Sequence, residues 1–151
     1  MISAITDPRI DVLLVDDSPH YIRLLQETFR EVNAHVRLHI ANDGLEAMAF
    51  LRREGEINTN APRPDLILLD LGMPKMDGRE VLAEIKKDDD LKSIPTLVLT
   101  TSEMGEDIET SYKLHANSFI QKPLQLEQLD GLLKSINEFW FNQSKLHSLE
   151  N

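Results

Sequence analysis

Five short apolar runs, each halted by a polar or turn-forming residue, alternate along the chain with segments whose apolar positions recur every three or four residues. Asp11-Val12-Leu13-Leu14-Val15 stops at Asp16-Asp17-Ser18-Pro19 and reads as a buried strand entering a turn. The period then changes: Ile22, Leu25, Phe29 and Val32 mark a helix, with Ser18 as N-cap and Pro19 at its first position. Val36, Leu38 and Ile40 alternate with Arg37 and His39, a second strand with one polar face, until Asn42-Asp43-Gly44 breaks it. Leu45, Met48 and Leu51 give a second helix to about Arg53, and Glu54 to Pro64, with no periodic apolar face, reads as an exposed connection.

The third run, Asp65 to Leu71, offers no polar residue to solvent from Leu66 to Leu69, as in the middle of a parallel sheet. Gly78 opens a helix carrying Val81, Leu82 and Ile85, followed by a turn-prone Lys87 to Asp90. Pro95 to Thr100 is a fourth strand, Glu103 to His115 a weaker helix, and Ser118 to Gln121 a short fifth strand. Leu126, Leu129, Leu132, Leu133 and Ile136 mark a long amphipathic helix ending near Phe139-Trp140-Phe141. Five strands alternating with five helices predict an α/β fold: a doubly wound, five-stranded parallel sheet of order 2-1-3-4-5, flavodoxin-like. The expected division is an N-terminal extension over 1–9, one domain over 10–141 and a polar tail over 142–151.

Composition narrows the function. The 151 residues contain no cysteine, which excludes thiolate metal sites and cysteine nucleophiles. No apolar run approaches the roughly 18 residues a membrane helix needs, and Met1 to Arg9 lacks a secretory pattern, so the expected location is cytoplasmic. A net charge of -10 repels a phosphate backbone and argues against direct nucleic-acid binding.

In a sheet of this order the carboxyl ends of four strands lie side by side, and each is followed at once by a polar cluster: Asp16-Asp17, Asp70, Thr100-Thr101 and Lys122. Three carboxylates so placed repel one another unless a cation intervenes. Mg²⁺ suits them, being a hard ion held by carboxylates, waters and phosphate oxygens. Lys122 supplies a point charge able to pair with a carboxylate or phosphoryl group, Thr100 a hydrogen bond to a phosphoryl oxygen, and Asp70 a carboxylate nucleophile for an acyl phosphate.

With Asp16-Asp17, with Asp70 followed by Met73-Pro74-Lys75-Met76-Asp77-Gly78, with Thr100, and with Lys122-Pro123, the chain resembles the receiver domain of two-component response regulators, the CheY-like fold. The intervals, 30 residues from Asp70 to Thr100 and 22 from Thr100 to Lys122, are part of that likeness. The resemblance implies that Asp70 is phosphorylated by a sensor histidine kinase or a phosphotransfer protein, as a signalling switch rather than an enzyme acting on outside substrates. It implies that Asp17, Asp70 and the backbone carbonyl of Gly72 ligate Mg²⁺, with Asp16 acting through water. It also implies that Thr100 moves toward the phosphoryl group, that Phe119 rotates inward, and that the Lys122-Pro123 bond is cis. Arg63 to Leu71, Asp77 to Lys86 and Thr100-Thr101-Ser102 look like the stand-alone regulators paired with bacterial phytochromes, and a phytochrome kinase is the expected partner. An intermediate phosphotransfer receiver or a chemotaxis-type regulator is the alternative.

A phosphohydrolase with Asp70 as nucleophile is disfavoured, because Gly72 stands where such enzymes place a general acid. A nucleotide- or flavin-binding domain fails at the first loop, where Asp16-Asp17 replaces the required glycines. Phe139-Trp140-Phe141 cannot all face one core: the rings either pack against the chain's own tail or stay partly exposed, or they form a homodimer contact, the reading favoured because regulators of the phytochrome type are similar in pairing through their C-terminal region. Neither Gly72 nor Ser102 can position attacking water with a carboxamide or carboxylate. The phosphorylated protein is therefore expected to hold its label well beyond seconds without a phosphatase, and a decay time course read by phosphoprotein electrophoresis checks it.

Overall fold

A computed structural model of the chain describes residues 9–71, 76–100, 118–123 and 125–139, with the side chains of Thr100 and Phe119 outside that description. The five strands are β1 (Ile10–Val15), β2 (Val36–Ala41), β3 (Leu66–Leu69), β4 (Thr96–Thr100) and β5 (Ser118–Gln121). They form one parallel sheet of order β2-β1-β3-β4-β5, as the alternation of runs and periodic segments predicts. Four helices are described: α1 (Pro19–Val32), α2 (Gly44–Arg52), α3 (Gly78–Lys87) and α4 (Leu126–Ile136). The helix expected over Glu103 to His115 lies outside the described residues, as do Trp140 and Phe141. Beyond Ile136 the backbone continues through a π-type turn over 137–139.

The central runs lack polar residues because both faces of the sheet are covered. Side chains alternate along a strand. Val12, Leu14, Leu66, Leu68, Leu97 and Leu99 pack with Tyr21, Ile22, Leu25 and Phe29 of α1 and Leu129, Leu133 and Ile136 of α4. Leu13, Val15, Ile67, Leu69 and Val98 pack on the other side with α2 and α3, through Ala47, Met48, Leu51, Val81, Leu82 and Ile85. β2 is an edge strand, and its polar residues are used: Arg37 and His39 both reach Asp11 of β1, at 2.9 Å from Arg37 Nε and from His39 Nε2 to Oδ1. The His39 ring lies 5.3 Å from that of Phe50.

Local signals set the boundaries. Ser18 Oγ accepts from Tyr21 N at 3.3 Å, with Pro19 opening α1, and Asp43 Oδ1 accepts from Glu46 N at 2.9 Å to cap α2. Asp77 and Glu80 form a capping box at the start of α3. Arg53 ends α2 in the left-handed region, φ 55°. The connection over 54–64 is mostly exposed, with Ala61 and Pro64 buried. Among the described residues no peptide bond is cis, so Lys122-Pro123 is trans, against the expectation. An X–Pro bond favours trans by only about 0.5–1 kcal/mol, so the motif alone does not fix the isomer. Among the described residues no helix is long and apolar enough to cross a membrane.

The strand order and register decide what converges. Val12 pairs with Leu66 and Val15 with Leu69, which places residues 16 and 70 side by side one step further on. The hydrogen bond from Asp70 N to Val15 O, 3.0 Å, extends the ladder to that step. Gly78 then packs against this end of β3, its N donating to Leu71 O at 3.0 Å. A Cβ at Gly78 would run into the backbone of Asp70 and Leu71, neither of which can yield as a flexible side chain could. Gly78→Ala is therefore expected to destabilise the fold by about 3 kcal/mol, although alanine is the better helix former. Urea unfolding read by circular dichroism measures it.

Candidate functional site

Asp16 and Asp17 follow β1, Asp70 follows β3 and Lys122 follows β5, so three strand ends deliver the site's charged groups. Asp16 and Asp70 are buried and Asp17 is exposed; one carboxylate oxygen of each lies within 4.8 Å of those of the other two. Lys122, also buried, puts Nζ 2.7 Å from Asp16 Oδ2 and 3.8 Å from Asp70 Oδ2. The second oxygen of Asp16, Oδ1, accepts from Ser18 N at 2.8 Å. Asp16 is thus held at both ends, by the ammonium and by the turn that starts α1, whereas Asp17 faces solvent.

The balance of charge is uneven. Among the described residues three carboxylates face one ammonium, an excess of two negative charges at the mouth of a sealed sheet. Like charges at these separations repel by several kcal/mol at an effective dielectric near 20, so the cluster favours a further cation. Its donors are all carboxylate oxygens, suited to a hard divalent ion, and the exposed Asp17 leaves an approach from water. The donor set fits such an ion.

One participant is not apparent from the motif. Tyr21, in the first turn of α1, is buried, and the Lys122 ammonium lies over its ring, 4.1 Å from the centroid. Its hydroxyl is a buried side-chain polar atom with no hydrogen-bond partner among the described residues. Burial raises the phenol well above its ordinary pKa, and the Asp16 and Asp70 charges push it the same way, so the ring is a neutral phenol at every working pH. In the sequence Tyr21, Leu25 and Phe29 stand at i, i+4 and i+8, a seam on the inner face of α1 that signals core packing and not membership of the site.

Of the other sequence candidates, Thr100 ends β4 in register with Gln121, the residue before Lys122, so its backbone belongs to the same sheet edge. Phe119 lies within β5, paired with Val98. The side chains of Thr100 and Phe119, and Gly72 with its carbonyl, lie outside the described residues. Met76 is partly buried against the α2–α3 side of the core rather than presented to a partner.

A five-stranded parallel sheet of this order with an acidic triad and a lysine at its carboxyl edge defines a class, and the family model for the response regulator receiver domain matches residues 12–134. The chain belongs to that family. It is 49% identical to the response regulator Rcp1 of Synechocystis sp. over 135 residues, covering 89% of this chain and 91% of that protein. Among solved structures, the phosphorylated cyanobacterial phytochrome response regulator RcpA superposes with a TM-score of 0.87 at 49% identity, covering 93% of this chain and 99% of that one. The Mn²⁺-bound form of Rcp1 superposes with a TM-score of 0.84 at 48% identity, covering 92% and 99%.

The geometry separates the roles of the two adjacent aspartates. Asp17→Asn, at an exposed side chain, is expected to change stability by less than about 0.5 kcal/mol while weakening divalent-ion binding at least about tenfold. Asp16→Asn leaves Lys122 without its closest partner and is expected to cost about 3 kcal/mol. Thermal unfolding with and without added Mg²⁺ or Mn²⁺ separates the two, since an ion that binds only the folded chain raises its melting temperature.

Proposed function

We propose that the chain is a phosphoryl-accepting switch, a response regulator in which Asp70 takes a phosphoryl group from the phosphohistidine of a sensor kinase or a phosphotransfer protein. The observation that carries this reading is the convergence of Asp16, Asp17, Asp70 and Lys122 at the carboxyl edge of the sheet. Asp70 is the nucleophile. Its carboxylate oxygen forms the new bond to phosphorus as the phosphorus–nitrogen bond breaks, and the electron pair of that bond returns to the imidazole. Lys122 is within reach of Asp70 and can transfer its ammonium from a carboxylate to a phosphoryl oxygen.

Asp17, Asp70 and the Gly72 carbonyl would hold Mg²⁺, with Asp16 acting through water. Bound there, Mg²⁺ neutralises the charge of the transferring phosphoryl group. Thr100 would hydrogen-bond that group once it is in place, and Phe119 would turn inward, changing the face presented to partners. The reaction is the protein's own modification, so no outside substrate is turned over.

A phytochrome kinase is the partner proposed, on the strength of 49% identity across nearly the full length of a regulator described as that of a cyanobacterial phytochrome. A homodimer contact through the C-terminal region is part of the same reading, supported by Phe139, which is 56% exposed at the end of the last described turn. A net charge of -10 disfavours nucleic acid, and the site of action in this reading is the cytoplasm.

Phosphotransfer from autophosphorylated histidine kinases to the full chain tests the reading, with acetyl phosphate as a second donor. Label is expected on the wild type in Mg²⁺, and its loss is expected both in Asp70→Asn and on chelation. An unlabelled wild type, or a labelled Asp70→Asn, overturns it.

A further inference from the structure

Among the described residues the Lys122 ammonium has three neighbours, two carboxylates and an aromatic ring. Asp16 takes it at 2.7 Å, Asp70 stands beyond hydrogen-bond length at 3.8 Å, and the face of Tyr21 lies 4.1 Å away. The Lys122 side chain is only 8% exposed, so water does little to fix the ammonium's position. An aromatic face attracts a cation through its quadrupole, and the attraction grows when both are desolvated. The carboxylates alone would draw the ammonium toward Asp16, which holds it at the shorter distance. The ring is the one neighbour of the three that attracts the ammonium without carrying a net charge, and it is not altered when a group is added to Asp70.

Position 21 does not require a tyrosine for packing. On the seam of Tyr21, Leu25 and Phe29 an aliphatic residue would fill the core and would bury no hydroxyl, whereas that of Tyr21 is buried without a partner among the described residues. What the aliphatic side chain lacks is the π face. We propose that Tyr21 is a positioning residue of the phosphoryl site, its ring holding the Lys122 ammonium where it can pass from Asp16 to a phosphoryl oxygen on Asp70. This rests on the phosphoacceptor reading for its chemistry, but the contact between ring and ammonium stands independently of it.

The test compares the full-length wild type with Tyr21→Phe, which keeps the ring and drops the hydroxyl, and Tyr21→Met, which keeps an apolar filling without a π face. Tyr21→Leu serves in place of Met should thermal melts show that Met does not fold. Two quantities are read: the rate of labelling by acetyl phosphate at saturating Mg²⁺, and the proton shifts of the Lys122 ε-methylene by NMR. Tyr21→Phe is expected to label within about twofold of the wild type and Tyr21→Met roughly tenfold more slowly, the scale of a desolvated cation–π contact. The Lys122 protons are expected to be shifted upfield by the ring current in the wild type and in Tyr21→Phe, and to return to ordinary positions in Tyr21→Met. Labelling of Tyr21→Met at the wild-type rate overturns the proposal, as does labelling of Tyr21→Phe as slow as that of Tyr21→Met, which would assign the role to the hydroxyl. Unshifted Lys122 protons in the wild type overturn it too. A wild type that takes no label while showing the shift refutes the phosphoacceptor reading and leaves the contact standing.

Discussion

The ion pair between Lys122 and Asp16 is the constraint on which the site's geometry depends. Both groups are buried, and breaking such a pair leaves an uncompensated charge in a sealed sheet at a cost of about 3–5 kcal/mol. The pair joins the carboxyl end of β5 to that of β1, across β3 and β4. It therefore ties the ends of strands that are not neighbours, and Asp70 lies between them. Its partner atoms also keep two of the three carboxylates close to a positive charge, which lets an acidic cluster persist in a folded chain.

That arrangement requires a rigid support beneath it. The support is two apolar layers made by alternating side chains of β1, β3 and β4, each layer sealed by a pair of helices. The register places residues 16 and 70 together, and the packing of Gly78 on the backbone of Asp70 and Leu71 holds the end of β3 against the start of α3. The core thereby determines the position of a carboxylate that is itself outside the core.

Much of this was legible in the residues. Leu66 to Leu69 announces a strand covered on both faces, and the change to a three- and four-residue period after Pro19, Gly44 and Gly78 announces α1, α2 and α3, with Ser18 legible as the cap of α1 and the caps Asp43 and Asp77 added by the structure. The alternation implies a parallel sheet, and in the order 2-1-3-4-5 expected of the receiver resemblance Asp16, Asp17, Asp70 and Lys122 converge, as the structure has them. Three things were not legible. Which carboxylate Lys122 favours is a matter of distance, 2.7 Å to Asp16 against 3.8 Å to Asp70, that residue spacing does not encode. The isomer of Lys122-Pro123 depends on a small energy that surrounding chain can outweigh. Tyr21 was hidden because an aromatic residue on a helix seam reads as core, and only the structure shows what lies over its ring.

The clasp of Arg37 and His39 on Asp11 has a consequence away from the site. β2 is the outermost strand on its side, and an outermost strand offers unpaired backbone groups to any other chain. Asp11 stands directly opposite Arg37, so a slip of the strand by one residue would turn the guanidinium to the other face and strand the buried carboxylate. The same charges make the border of the sheet a poor template for a foreign strand. A single electrostatic device thus pins the alignment of the edge and guards it against aggregation, at the end of β1 opposite to the acidic cluster.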